Sequence, residues 1–217
     1  MIKLLFSLPK QVDLAFSGGI DSLVVAHFLS RAHKDVRLWH FNHACPYSDQ
    51  IEEECRKKAH DLALPFVVER LEGAKPPRQS QEDFWRQERY KFLRSSDRYM
   101  MTAHHLDDAV ETWVWSSLHG EGKLIPHQNG NIIRPFLLTA KQDFREYGQR
   151  HGLTEVADPF NSDMHVMRNY MRVHLMQHVE HINPGISKVI RKKYLSYGQV
   201  ALDPLITPQI LSKKTFR

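Results

Sequence analysis

The chain has 217 residues, 41% hydrophobic and 25% charged, the balance of a soluble globular protein with room for one α/β domain and a small appendage. No run of about 18 apolar residues exists, which excludes a transmembrane helix, and the start, Met1 to Lys10, lacks the apolar length and small-residue cleavage site of a signal peptide. Net charge is +5, and two cysteines, Cys45 and Cys55, form neither a disulfide framework nor a zinc site, so a reducing cytoplasm is the expected setting.

Val12 to Phe16 reads as a buried parallel strand, and apolar side chains at 20, 23, 24 and 28 give the stripe of a following helix. Between them lies Ser17-Gly18-Gly19-Ile20-Asp21-Ser22. Adjacent glycines let backbone approach a ligand, and a helix start offers free N–H groups at a positive dipole end, so phosphate is the expected guest. Ser17 and Ser22 can add hydroxyl donors. Asp21 repels polyphosphate unless a cation lies between them, and Mg²⁺ on phosphate oxygens supplies that cation, so a metal–nucleotide complex is expected. The stretch is neither a Walker A loop nor the dinucleotide fingerprint. A plain glycine turn into a helix cap is the competing reading.

Asp35 to Phe41 alternates as a second strand and ends in the loop Asn42-His43-Ala44-Cys45-Pro46. Ser48 or Asp49 is expected to cap a helix with Ile51, Cys55, Ala59 and Leu62 inward, which Pro65 ends. Phe66–Arg70 is a third strand, Gly73–Gln79 a loop, and Ser80 opens a helix through Phe84, Trp85, Arg89, Phe92 and Leu93. Strand four spans Arg98 to Ala103. Strands alternating with helices predict a doubly wound parallel sheet with ligands at the carboxyl ends of its strands.

Strand four runs into His104-His105-Leu106-Asp107-Asp108, with Glu111 and Thr112 beyond. Leu106, Ala109, Val110, Trp113, Val114 and Leu118 form the expected buried stripe, leaving Asp108 and Glu111, at i and i+3, together on another face. Carboxylates beside two histidines can be an acid/base set, a metal site or a pocket for an amine; helix capping is the structural alternative. Residues 121–130 read as a loop, and a last strand falls around Asn131–Arg134. Thr139 and Gln142 suggest a capping box for a helix that ends at Gly152. Asp158-Pro159-Phe160-Asn161 is a turn, and Asn161, Ser162 or Asp163 caps a helix with Met167, Tyr170, Met171, His174, Leu175 and His178 inward. Arg168 and Arg172 lie around that stripe within reach of a phosphate, and the chain from Asp203 reads as a loose tail. From Met164 onward nine Lys/Arg face two Asp/Glu, leaving 21 against 23 before it, so the basic end invites a polyanion. The expected division is a catalytic domain over 1–160 and a basic helical extension over 161–217.

With both stretches in hand, the chain resembles the PP-loop ATP pyrophosphatases, whose SGGxDS signature stands at Ser17–Ser22. Within them it is most similar to the tRNA(Ile)-lysidine synthetase family, in a compact form without the usual C-terminal domains. Phe41-Asn42-His43, the Trp85 to Leu93 stretch, Ala103 to Asp108 with Glu111-Thr112, Arg134-Pro135, and Asp158-Pro159 with Asn161, Asp163, Arg168, Asn169 and Arg172 carry the likeness. The loop after His43 departs from it, reading Ala44-Cys45-Pro46-Tyr47 where the family has Gly-Leu-Arg.

The resemblance implies a Rossmann-like PP-loop fold of about five strands with a C-terminal helical extension. It also implies that ATP adenylates C2 of the wobble cytidine in a CAU anticodon and that L-lysine then displaces AMP. Ser17, Gly18, Gly19, Ile20 and Ser22 would hold ATP, Asp21 would orient Mg²⁺, and Asp108 and Glu111 would bind lysine. His104 or His105 would assist with a proton, and Arg86, Arg168 and Arg172 would meet tRNA or adenylate phosphates. A tRNA thiolase is the near alternative, with Cys45 the thiol to test, and a non-catalytic nucleotide- or RNA-binding module the distant one.

Overall fold

The computed structural model describes residues 1–157 and 167–196, apart from the side chain of Arg168. The turn expected at Asp158 to Asn161, the cap among Asn161, Ser162 and Asp163, and the tail from Asp203 lie outside the described residues. The strands are β1 (Gln11–Ala15), β2 (Asp35–Asn42), β3 (Phe66–Arg70), β4 (Met100–Met101), β5 (Gln128–Asn129) and β6 (Ile132–Ile133). The helices are α1 (Ile20–Arg31), α2 (Ser48–Asp61), α3 (Gln81–Arg94), α4 (Leu106–Leu118), α5 (Lys141–Arg150), α6 (Met167–Tyr170), α7 (Met176–Ile182) and α8 (Ile186–Ser196), with a π-helical stretch at Met171–Leu175 between α6 and α7.

One six-stranded sheet runs in the order β3-β2-β1-β4-β6-β5. Its pairs are parallel except β5 with β6, a small antiparallel edge formed within the stretch expected to be a loop, so the sheet has one strand more than expected. Alternation along each strand divides the core between the two faces. Val12, Leu14, Leu38, Met101 and Ile133 join α1, α2 and Phe144 of α5 on one side. Trp39, Phe41, Met100 and Ile132 meet Phe92 and Leu93 of α3 on the other. Asp13 sits fully buried within β1, where the Arg37 guanidinium (2.7 and 2.6 Å) and the Ser96 hydroxyl (2.7 Å) donate to its carboxylate. A desolvated carboxylate is tolerable when bidentate and hydrogen-bonded in this way.

Strand order reverses direction between β1 and β4, so the loops leaving their carboxyl ends diverge and open a crevice there. The two stretches singled out by sequence, Ser17–Ser22 and His104–Glu111, leave from those two strands.

Several local expectations are corrected. Strand pairing confines β4 to Met100–Met101 rather than 98–103. Tyr47, in a left-handed conformation, occupies the cap position of α2, while the Ser48 hydroxyl accepts from Cys45 N–H. Thr139 does not cap α5; its hydroxyl bridges the backbone of Lys3, and Asp143 reaches back to Ala140 N–H instead. Leu118 falls at the end of α4, where no element among the described residues covers it, and is 66% exposed. In the C-terminal helices Met171 and Met176 are buried, but Met167, Tyr170, His174 and His178 are exposed; the π-helical stretch at Met171–Leu175 shifts the phase of the stripe that follows it. Ile186, Ile190 and Tyr194 of α8 share a cluster with Leu106, Ala109, Val110 and Val114 of α4.

Candidate active site

The glycine loop is held close to its neighbours. Gly18 takes φ +80°, a conformation that side chains rarely adopt, and its carbonyl accepts from Val156 N–H at 3.0 Å. A Cβ there would stand 2.6 Å from Cys55 Sγ and 2.9 Å from Val156 Cγ2. Gly18→Ala is therefore expected to destabilise the fold by about 2 kcal/mol or more, read as a lowered denaturation midpoint. Gly19 starts α1 without a side-chain cap, and Ile20 N–H donates to Glu155 Oε2 at 3.0 Å. An exposed carboxylate thus occupies the position where a helix N-terminus attracts an anion. The Ser22 hydroxyl bonds Gly19 O at 3.0 Å and lies 3.3 Å from Ser17 Oγ.

Asp21 points from the first turn of α1 into the crevice. Its Oδ1 is buried without a hydrogen-bond partner among the described residues, and its Oδ2 lies 3.3 Å from Lys141 Nζ and 3.6 Å from His105 Nε2. Burial pushes its pKa up, but the His105 imidazole and the Lys141 ammonium outweigh burial and hold it below the ordinary carboxylate value. An ionised carboxylate with a free buried oxygen beside a phosphate loop fits Mg²⁺, which takes one or two carboxylates and completes its shell with phosphate and water. Among the described residues no group of three or more His, Cys, Asp and Glu side chains is placed to hold a metal ion.

Across the crevice, His105 caps α4. Its Nδ1 accepts from Asp108 N–H (3.3 Å) and its own N–H donates to Asp108 Oδ2 (3.0 Å), a reciprocal capping box. In the neutral ring, with Nδ1 accepting, the proton sits on Nε2, facing Asp21 and Asp108 at 3.6 and 3.5 Å; protonation adds a proton at Nδ1, 3.7 Å from Asp107 Oδ2, and gives up the bond from Asp108 N–H. Asp108 and Glu111 are 6% and 9% exposed, and both bind one cation: Arg172 Nε donates to Glu111 Oε1 at 2.6 Å and its Nη2 to Asp108 Oδ1 at 2.8 Å. The π-helical stretch aims Arg172 into the site, a recurrent role for such irregularities.

These groups surround a cavity of about 380 Å³. Ser17, Asp21, Ser22, His104, Asp108 and Arg172 line its polar part, while Phe16, Trp39, Phe41, Ile51 and Leu93 line an apolar, aromatic one. In that second part Trp39 Nε1 and His43 Nδ1 are buried without hydrogen-bond partners among the described residues. Burial, with Arg89 and His40 nearby, pushes the His43 pKa down to about 4, so the ring is neutral. An apolar, aromatic lining with unmatched polar atoms beside a phosphate loop suits a nucleobase.

Residues 3–179 match the family model described as the PP-loop domain. The chain belongs to the PP-loop family. Among curated relatives, the tRNA(Ile)-lysidine synthase of Nitrosomonas europaea is 28% identical over 208 residues, 88% of this chain and 45% of that protein. The synthase of Persephonella marina is 31% identical over 199 residues, covering 84% and 44%, and that of Alkalilimnicola ehrlichii 34% over 175, covering 73% and 39%. The chain therefore spans about half the length of the curated relatives it matches. Among solved structures, the U34-tRNA thiolase NcsA of Methanococcus maripaludis superposes with a TM-score of 0.68 at 15% identity, covering 94% of this chain and 78% of that one. NMN synthetase of Francisella tularensis superposes at 0.51 and 13%, covering 89% and 88%. Both share the PP-loop fold with this chain.

In this PP-loop domain the crevice brings together Ser17, Asp21, Ser22, His104, Asp108 and Arg172, with Glu111 joined through Arg172 and His105 beneath them. Arg86 lines a neighbouring groove instead, and the side chain of Arg168 lies outside the described residues. Cys45 lines the cavity, whereas Cys55 is buried under Gly18 with its thiol pushed up to about 12 by burial. The sequence reading passed over Lys141 and Glu155. Lys141 had a signal, since a cation in the first turn of a helix opposes the dipole and calls for another reason to be there; Glu155 had none.

His105 offers a direct check on this network. Burial lowers its pKa, but the Asp21 carboxylate, followed by Asp108 and Asp107, outweighs burial and holds it above 6.5. Its charged form therefore stabilises the fold fully below about pH 6.5, and that contribution is lost as pH rises through the raised value. Asp21→Asn should lower the His105 pKa, read from its ring resonances in an NMR titration; an unmoved value would show that Asp21 does not govern it.

Proposed function

We propose that this PP-loop domain binds ATP in the crevice, adenylates C2 of the wobble cytidine of a tRNA(Ile) with a CAU anticodon, and replaces AMP with L-lysine. The C2 oxygen attacks the α-phosphorus, pyrophosphate leaves, and the lysine amine then attacks C2 while the C2–O bond breaks and AMP departs. The N–H groups at Gly19 and Ile20 and the hydroxyls of Ser17 and Ser22 hold the pyrophosphate portion, which displaces Glu155 from the helix start. Asp21, whose Oδ1 is unpartnered among the described residues, would hold Mg²⁺, which would supply neutralisation of charge at the α-phosphate. The adenine of ATP takes the apolar part of the cavity beside Trp39 and His43.

The observation that supports the amine reading is the guanidinium seated on Asp108 and Glu111. Two carboxylates that are nine-tenths buried and hold a cation beside the phosphate end of the cavity form a receptor for lysine's ammonium. Lysine enters by displacing Arg172, which releases that guanidinium toward adenylate or RNA phosphate. Of the two histidines, His104 lines the cavity and takes the proton from the attacking amine, while His105 stays in its cap.

The test incubates the protein with Mg-ATP and radiolabelled lysine, with and without a tRNA(Ile) transcript bearing CAU, and follows AMP and label in RNA. Label in the RNA supports the proposal. AMP without label keeps the adenylation chemistry and removes lysine, and neither signal favours a binding module.

A further inference from the structure

Beside the catalytic cavity lies a larger groove of about 980 Å³ between α3 and the segment that carries β5 and β6. At its base is Arg134, only 4% exposed. One guanidinium nitrogen donates to Pro126 O at 2.8 Å and another to the Tyr90 hydroxyl at 3.4 Å, while Nε is buried with no hydrogen-bond partner among the described residues. Among the described residues no carboxylate pairs with it. A desolvated cation bound only to neutral oxygens is costly, and an arriving anion would relieve that cost. The groove's other charged lining residues are Arg86, Lys91 and Arg94, with Asp83 the single acid among them.

Tyr90 is packed among the same cations: the guanidinium carbons of Arg86, Arg89 and Arg94 lie 4.9, 5.8 and 5.8 Å from its ring centroid. Tyr90 and His104 line both the groove and the catalytic cavity, so the two are continuous.

We propose that this groove is a second binding subsite, which takes a phosphodiester of single-stranded RNA on Arg134, Arg86 and Arg94 while the neighbouring base reaches the catalytic cavity past Tyr90 and His104. The assignment rests on the proposed RNA substrate and adds where its strand runs. Planar guanidinium groups suit phosphate, and guanidinium and tyrosine planes suit unstacked bases. A base that enters the cavity has to leave its stack, which costs least in a single strand or loop.

The probe is a fluorescein-labelled 17-nucleotide RNA stem-loop with CAU in its loop, followed by anisotropy across a salt series, with a blunt RNA duplex of equal length as control. Arg86→Gln/Arg94→Gln, checked for an unchanged thermal midpoint, should weaken stem-loop binding at least tenfold and flatten the slope of log K against log salt by about one to two. The duplex should lose less than threefold. Arg134→Lys, which keeps the charge and loses the fork, should weaken the stem-loop too; if it fails to fold, the rim variant decides alone. Unchanged affinity and slope, or an equal loss for the duplex, would overturn the subsite. Wild-type protein that binds the stem-loop through the groove yet transfers no lysine would sink the lysidine reading and leave the groove standing. Lysine transfer by the rim variant at unchanged KM for tRNA would do the reverse.

Discussion

Asp21→Asn is expected to lower the rate of AMP formation by on the order of 10²–10³-fold, the scale of removing one preorganised electrostatic contact to a transition state. The amide keeps the size of the side chain but loses the charge that holds a divalent ion. The substitution also changes the ground state. Asp21 is the carboxylate beside Lys141 in a loop meant for polyphosphate, so its loss leaves that lysine free and removes repulsion from the nucleotide. ATP binding should therefore be unchanged or tighter while turnover falls, a split that separates a role in chemistry from a role in holding the loop. Above the raised His105 pKa the fold should be little affected, within about 1 kcal/mol, because the pair with Lys141 is partly exposed; at lower pH the variant also loses the pairing of Asp21 with charged His105. AMP release at saturating ATP, the KM for ATP and the thermal midpoint together check the claim. A turnover within threefold of wild type would show that the unpartnered oxygen does not serve the reaction.

Why the sequence exposed so much of this site and hid the rest has a physical reason. Ser17–Ser22 and His104–Glu111 each combine a strand end, a turn and a helix start within a few residues, so local chemistry and local structure announce each other. The parallel sheet was legible for the same reason, since strands and helices of ordinary length alternate. What was lost depends on contacts across the chain. Arg172 meets Glu111 over 61 residues, Lys141 meets Asp21 over 120, and Glu155 reaches Ile20 over 135. Thr139 shows the converse failure, because its spacing to Gln142 suggested a local cap while its hydroxyl was committed to Lys3, 136 residues away. Arg134 looked like the end of a strand before a proline, and nothing local disclosed a buried cation without a carboxylate.

Glu111→Gln and Arg172→Ala should move lysine kinetics in opposite directions. With Glu111→Gln the receptor keeps one carboxylate, Asp108, and loses a charge-assisted contact worth roughly 1.5–3 kcal/mol, so the KM for lysine should rise about 10- to 100-fold. Arg172 loses the same contact, and a weaker competitor offsets part of the rise; lysine still fares worse because its ammonium depends wholly on the two acids, whereas Arg172 is tethered and keeps its bond to Asp108. The tRNA-dependent exchange of pyrophosphate into ATP should persist, since adenylation precedes the amine. Arg172→Ala removes the occupant outright. If lysine and Arg172 compete for the acids, this variant should lower the KM for lysine several-fold while slowing turnover, because the released guanidinium is no longer there for phosphate. A raised KM in Arg172→Ala would instead make Arg172 a part of the lysine receptor and sink the displacement step. Loss of pyrophosphate exchange in Glu111→Gln would move Glu111 from lysine binding to adenylation.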